Sequence, residues 1–230
     1  MLFRSTALVK ALPGTQVNEY DACKVFGALG IATAQTAVIE KPAQVVDIGF
    51  PVVAKILSPD ILHKTDAGGV VLNIADAAQL KSAASDILAR VKAKHPQAKL
   101  NGILVQRMER GLAEAILGFR RDAQVGPIVL LGMGGVLAEI YQDVAIRLAP
   151  VDLATARAMV EEVRGLALVR GYRGLPRGDC EALAHAVVAI SQLANLDGRT
   201  VADAEINPLI VKTQGAGVVA VDGLIVFRDN

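Results

Sequence analysis

Three groups of residues combine types and spacings that could do chemistry. Near the C-terminus, "AEINPLIV" sets Glu205 and Asn207 two positions apart, and "VAVDG" supplies Asp222 beyond a glycine-containing turn. Strand residues two apart face the same side. A turn centred on Gln214-Gly215 pairs Asn207 directly with Asp222, with Cβ atoms about 5 Å apart. Two or three hard oxygen donors on one face suit Mg2+, which takes one or two carboxylates plus substrate phosphates. Pro208 interrupts an otherwise apolar strand, and such prolines mark edges or bulges, both common beside active sites. An ordinary solvated hairpin face would carry the same residues, and spacing alone weighs the two readings equally.

The second group is Lys55, inside "PVVAKIL". A lysine in a strand fit for burial is unfavourable unless its ammonium emerges at a cleft or meets an anion. The competing reading is a lysine at a strand end with its head group in water. The third group is "DILHKTDAGGV", which brings His63, Lys64, Gly68 and Gly69 within seven positions. Glycines let backbone amides approach a phosphate, and Lys64 could add charge. A neutral imidazole among phosphates is a nucleophile able to carry a phosphoryl group. Against this, most glycine pairs are turns and most loop histidines are surface residues.

These residues need elements to hold them, and the chain alternates helix and strand. Asn18 is an N-cap for "NEYDACKVFGALG", whose Ala22, Val25, Phe26 and Leu29 share a face and whose Gly30 ends it. "IATAQTAVI" reads as a strand, residues 42–48 as a short helix, and "FPVVAKIL" as a central strand apolar on both faces. Asp76 opens a long helix with Ala77, Leu80, Ala84, Ile87, Leu88 and Val91 on its face, closed by Pro96. From about residue 100, short strand-like runs follow closely: "NGILVQRM", "LAEAILGF", "PIVLLGMGG" and "VAIRLAP". Helices at about 152–163 and 179–195 come next, then two strands around a glycine-containing turn. The class is α+β in two lobes with a boundary near residue 100, and a cleft between lobes is the expected ligand site.

Composition removes several alternatives. The 230 residues are 53% hydrophobic but only 3% aromatic, so the interior is built from Ala, Val, Leu and Ile. No apolar run approaches the roughly 18 residues of a membrane span, and the N-terminal stretch lacks the sustained apolar core of a signal peptide. Net charge is +1 with no basic run, which argues against a nucleic-acid surface. Cys23 and Cys180 lack metal-ligand spacing and read as small hydrophobes of a cytoplasmic protein. "LLGMGGVLAEI" lacks the dinucleotide fingerprint, and no P-loop signature is present.

In their order along the chain, Lys55 in its strand, "DILHKTDAGGV", "ILVQRM" with "LAEAILGFRRD", "GPIVLLGMGGVLAEI" and "AEINPLIV…VDG" resemble an ATP-grasp domain. The resemblance is to the ATP-grasp subunit or domain of the NDP-forming acyl-CoA synthetases, relatives of the β subunit of succinyl-CoA synthetase. It runs from about residue 15 to the C-terminus, and "EINPL" and "ILHKTDAGGV" are its most specific pieces. It implies an N-terminal extension over 1–14, a smaller lobe with the phosphate-binding loop over 15–100, and a larger lobe with the magnesium site over 101–230. It implies ATP or ADP and Mg2+ as cofactors.

The resemblance also implies roles. Lys55 contacts nucleotide phosphates, and residues 105–108, with Gln106 and Met108, read the adenine edge through the backbone. Glu114 accepts from the ribose hydroxyls. Asn207 and Asp222 hold magnesium, with Glu205 an additional or outer carboxylate. His63 matches a histidine that relays phosphate in some ADP-forming members, and Lys64, Gly68 and Gly69 surround it in the phosphate loop. Related enzymes often carry glutamate where Gln106 stands. The implied reaction is acid + CoA + ATP ⇌ acyl-CoA + ADP + phosphate. No CoA-binding Rossmann segment is present, and His95 and His185 read as surface or structural. The expected partner is therefore an α-type subunit or domain that binds CoA and the carboxylic acid and carries the principal phosphohistidine. Two other readings are a carboxylate–amine ligase, which needs no histidine relay, and a nucleotide-sensing module fused to or docked on another protein such as an acyltransferase.

Overall fold

The structure, a computed structural model, describes residues 2–12, 14–61, 63–135 and 143–228, with side chains from residue 5 onward. It divides into two compact units. One runs from Ala34 to Met108; the other comprises the chain up to Thr33 and from Glu109 onward. The expected boundary near residue 100 therefore moves to Met108/Glu109. The first 33 residues belong with the larger unit rather than forming an extension and part of the smaller lobe.

The smaller unit is a four-stranded antiparallel sheet in the order β2-β5-β3-β4. Its strands are β2 (Thr36–Ile39), β3 (Val52–Ile56), β4 (Val70–Ile74) and β5 (Ile103–Arg107). β3 lies between β5 and β4 and is buried at every position, as a central strand apolar on both faces requires. Helix α3 (Ala77–Lys94) opens on Asp76, whose carboxylate accepts from the Gln79 N–H. It buries Leu80, Ala83, Ala84, Ile87 and Val91 against Val52, Ala54, Ile56 and Ile74. Ala77 is exposed and Leu88 half-buried, so the apolar face is narrower than expected. Residues 42–48 form a turn followed by irregular chain, not a helix. Val46 packs on the core and Ile48 is buried while Val45 and Asp47 are exposed, an alternation that does not follow a helical face.

The larger unit holds a seven-stranded sheet, β1-β11-β9-β6-β7-β8, with β10 paired to β9. The strands are β1 (Gln16–Val17), β6 (Ala113–Asp122), β7 (Gly126–Met133), β8 (Val144–Leu148), β9 (Val201–Val211), β10 (Val218–Ala220) and β11 (Gly223–Phe227). Helices α1 (Leu2–Ala11), α2 (Glu19–Ala28), α4 (Leu153–Glu162) and α5 (Cys180–Ser191) complete the unit. Its core joins Val25, Phe26, Phe119, Leu131, Met159 and Ile190. Asn18, Asp152 and Asp179 cap α2, α4 and α5 with their side chains, and Gly30 ends α2 at φ 94°. The segment expected as one strand over 31–39 is divided. Ala32 and Thr33 pair with Ala220 of the larger unit, whereas 36–39 pair with β5 of the smaller one. No helix among the described residues is long and apolar enough to cross a membrane.

Candidate functional site

In the smaller unit, Lys55 is only 8% exposed, with Leu104 and Val70 opposite it on the flanking strands. Burial at that position requires an interaction for the ammonium. The chain leaving β3 is tied down at once: the Ser58 hydroxyl donates to the Lys99 carbonyl at 2.7 Å, and the Asp60 carboxylate accepts from the Lys99 N–H at 2.6 Å. Ile61 is buried.

The loop then closes on its own backbone. The His63 carbonyl accepts from the Ala67 N–H, Thr65 from Gly68 at 2.9 Å, and Lys64 from Gly69 at 2.7 Å. This overturns one expectation: the Gly68 and Gly69 amides are engaged inside the loop and do not face outward as a phosphate cradle. The glycines are there for shape. Gly68 has φ +71°, and a Cβ on Gly69 would come within 2.4 Å of Ile56 Cγ2. The His63 side chain is exposed, and the loop is braced by Lys94 Nζ donating to the Asp66 carbonyl.

Gln106 lies on β5 opposite Thr36 and Val53 and is 1% exposed. The next two N–H groups are engaged within the unit, Arg107 with the Gln35 carbonyl and Met108 with the Pro51 carbonyl. In this conformation neither donor is open to an adenine ring, which narrows the expected backbone reading to the remaining groups of 105–108.

In the larger unit, β9 alternates as a half-buried strand should: Ala204 and Ile206 face the core, Glu205 and Asn207 are exposed. The pairing of β9 with β10 sets Leu209 opposite Ala220, and that with β11 sets Ile206 opposite Gly223 and Glu205 opposite Leu224. The same register carries across the gap between β10 and β11, where the Asn207 N–H donates to the Asp222 carbonyl at 3.2 Å. Asn207 and Asp222 thus share a rung, as the turn position predicted. Asp222 Oδ1 accepts from the Gly223 N–H at 2.7 Å, which orients its carboxylate.

On β6 the residue opposite Glu205 is Gly118, which has no side chain to cover it. Two rungs further, the Arg120 guanidinium donates twice to Asp203 Oδ2, at 2.9 and 2.7 Å. This hydrogen bonding, helped by Glu205, holds Arg120 still more firmly in its charged form. Glu114, exposed on β6, has its carbonyl capped by the Gly134 N–H at 2.7 Å. A Cβ on Gly134 would collide with the Ala115 backbone at 2.8 Å, and one on Gly135 would approach Glu114 Oε2 at 3.1 Å. The first glycines after β7 are therefore fitted to Glu114, while the later part of "LLGMGGVLAEI" lies outside the described residues.

The donor set fits magnesium in kind: two carboxylates and one amide oxygen, all hard ligands, with Glu205 and Asn207 on one exposed face. Among the described residues there is no group of three or more His, Cys, Asp or Glu that could hold a metal ion. His95 is exposed at the end of α3, and His185 is exposed beside Glu181 at 3.5 Å. Asp179, whose carboxylate binds the turn between β9 and β10, is not among the residues expected from sequence; its signal there is a Gly-Asp pair ahead of an apolar helix.

A family model described as the ATP-grasp domain matches residues 9–227, and the chain belongs to that family. Within it, the chain is similar to the ATP-grasp part of ADP-forming acyl-CoA ligases. It is 34% identical to the β subunit of acetate–CoA ligase (ADP-forming) I of Pyrococcus furiosus, over 91% of this chain and 90% of that subunit. It is 38% identical to acetate–CoA ligase (ADP-forming) I of Archaeoglobus fulgidus over 90% of this chain, but spans only 30% of that longer protein. Its fold matches the dinucleotide-forming acetyl-coenzyme A synthetase 1 of Ca. Korarchaeum cryptofilum solved with coenzyme A and Ca-AMPCP. The TM-score is 0.87 at 33% identity, covering 96% of this chain and 98% of that one. The same protein was solved with Mg-AMPPCP and its phosphohistidine segment pointing towards the nucleotide site, with TM-score 0.83 at 31% identity over 97% and 100% of the two chains.

Proposed function

We propose that this chain is the ATP- and magnesium-handling subunit or domain of an ADP-forming acyl-CoA synthetase, acting in acid + CoA + ATP ⇌ acyl-CoA + ADP + phosphate. The observation that carries the reading is its near-complete correspondence with the Pyrococcus furiosus β subunit. We assign Lys55 and Lys64 to nucleotide phosphates, Gln106 and Met108 to the base, and Glu114 to the ribose. His63 is the phosphoryl carrier: a ring nitrogen lone pair attacks the terminal phosphorus of ATP, an N–P bond forms, and the breaking P–O bond leaves its electron pair on ADP. The reverse step regenerates ATP.

Asn207 and Asp222, with Glu205, would hold Mg2+, which when bound neutralises phosphate charge. Gly68 and Gly69 keep the loop closed so that His63 projects from a fixed base. The partner is a CoA-binding α-type subunit or domain with its own phosphohistidine, which also receives the carboxylic acid. A cytoplasmic setting suits these substrates.

The test is incubation with γ-labelled ATP and Mg2+, alone and with a CoA-binding partner. The expected result is an acid-labile label absent from His63→Ala. Turnover that survives this substitution would favour a carboxylate–amine ligase, and nucleotide binding with no label in either case would favour a sensing module.

A further inference from the structure

The turn between β9 and β10 is permissive by composition. Gly215 and Gly217 both have positive φ, 83° and 80°, and their added Cβ atoms would meet nothing. β10 is three residues long, and its strand partner among the described residues is β9. A short strand after a glycine turn is weakly specified, and a slip of one residue sends every side chain to the opposite face. A side chain nonetheless holds this turn. Asp179 Oδ2 accepts from the N–H groups of both Gly215 and Gly217 at 2.9 Å, while Oδ1 accepts from the Ala182 N–H and caps α5.

The backbone repeats the grip. The Asp179 N–H donates to the Lys212 carbonyl and the Gln214 N–H to the Arg177 carbonyl, both at 2.9 Å, and Gly178 bridges to Thr213. Gly178 is needed for this approach, since a Cβ there would sit 2.7 Å from Val169 Cβ. Two amides two residues apart reach one carboxylate oxygen in a single register. That register sets Val211 opposite Val218 and, four rungs on, Asn207 opposite Asp222.

We propose that Asp179 is a positioning residue for the metal-binding rung: its carboxylate locks the turn and thereby holds Asn207 and Asp222 side by side. The proposal rests on the assignment of those two residues as metal ligands. Asparagine and serine cap helices about as well as aspartate, so Asp179→Asn and Asp179→Ser keep the α5 cap and remove only the carboxylate oxygen that takes the glycine amides. Asp152→Ala, which removes the cap of α4 at the Thr155 N–H, is the control for general loss of stability.

The readouts are amide exchange at Asn207, which needs no metal, and Mn2+ binding with ADP followed by electron paramagnetic resonance. Asp179→Asn is expected to speed exchange at Asn207 about tenfold and to weaken Mn2+ by about tenfold, as loss of a supporting residue does; Asp152→Ala should change neither. Wild-type exchange at Asn207 in both Asp179 variants overturns the proposal. So does faster exchange with unaltered Mn2+ affinity in a protein that loses that affinity on Asn207→Ala. If Asn207→Ala and Asp222→Ala both bind Mn2+ as the wild type does, the metal assignment fails, and exchange alone decides whether Asp179 sets the register.

Discussion

Asn207 donates its backbone N–H to the carbonyl oxygen of Asp222 at 3.2 Å, on the rung where β9 changes partner from β10 to β11. A carboxylate and an amide from neighbouring strands are thereby held at adjacent positions, while Glu205 two residues earlier shares the exposed face of β9. Asn207→Ala or Asp222→Ala should raise the Mg2+ concentration needed for half-maximal phosphorylation by about 10- to 100-fold, whereas Asn207→Asp, which keeps an oxygen donor, should not. A magnesium titration of phosphoenzyme formation checks this.

The role proposed for His63 differs in kind, since it is that of a nucleophile. Its removal should abolish the acid-labile label and lower turnover with the partner present by at least about a hundredfold. Binding of ADP, measured calorimetrically, should change little. Lys55→Met should do the opposite, weakening nucleotide binding first, because a buried cation is exchanged for an uncharged chain.

Gly69→Ala distinguishes a packing glycine from a ligand-binding one. The new Cβ would lie 2.4 Å from Ile56 Cγ2 and 3.0 Å from the Lys64 carbonyl, so the smaller unit should lose about 1–3 kcal/mol in denaturant unfolding. Ile56→Ala in the same chain should recover part of the clash. A Gly69→Ala protein of unchanged stability but weaker nucleotide binding would restore the cradle that the hydrogen bonds deny.

Asp179 gives a pH prediction. Burial alone would raise its pKa, but three backbone N–H donors, from Ala182, Gly217 and Gly215, outweigh that and hold it below the usual aspartate value. A depressed folded-state pKa contributes stability that is complete above the unfolded value of about 3.9 and is lost as pH falls through the folded value. Asp179→Ala should therefore cost about 2–4 kcal/mol at pH 7. The gap between variant and wild type, followed by urea unfolding, should shrink only below about pH 4.

Much of this was legible in residue order. The caps Asn18 and Asp76 follow from local rules, because each depends on residues a few positions apart; β3 and the register about Gln214-Gly215 follow from strand pattern, although distant residues, Asp179 among them, hold the latter. Other features depend on distant partners. The stretch at 42–48 has a proline start and apolar residues that a short helix could use, but Val46 and Ile48 are claimed by the core of the smaller unit. The division of 31–39 is invisible without knowing that Ala220 binds Ala32 while β5 binds Thr36. The glycine pair at 68–69 suits a phosphate cradle equally well until the Thr65 and Lys64 carbonyls are seen accepting its amides. A family resemblance supplies roles, and it takes hydrogen bonds to show which atoms are left to perform them.

The smaller unit interrupts the larger one, leaving it after Thr33 and rejoining it at Glu109. Its two ends emerge from neighbouring strands, where Thr36 pairs with Gln106 and the Arg107 N–H reaches the Gln35 carbonyl at 2.9 Å. An unstructured insert of about 75 residues would penalise closure of its host by roughly 4 kcal/mol beyond the constant part. Once folded, the insert behaves as a short staple instead. Maturation of residues 34–108 should therefore hasten assembly of the surrounding unit, so that damage to Ile56 or Ile87 would slow the folding of a core they do not enter.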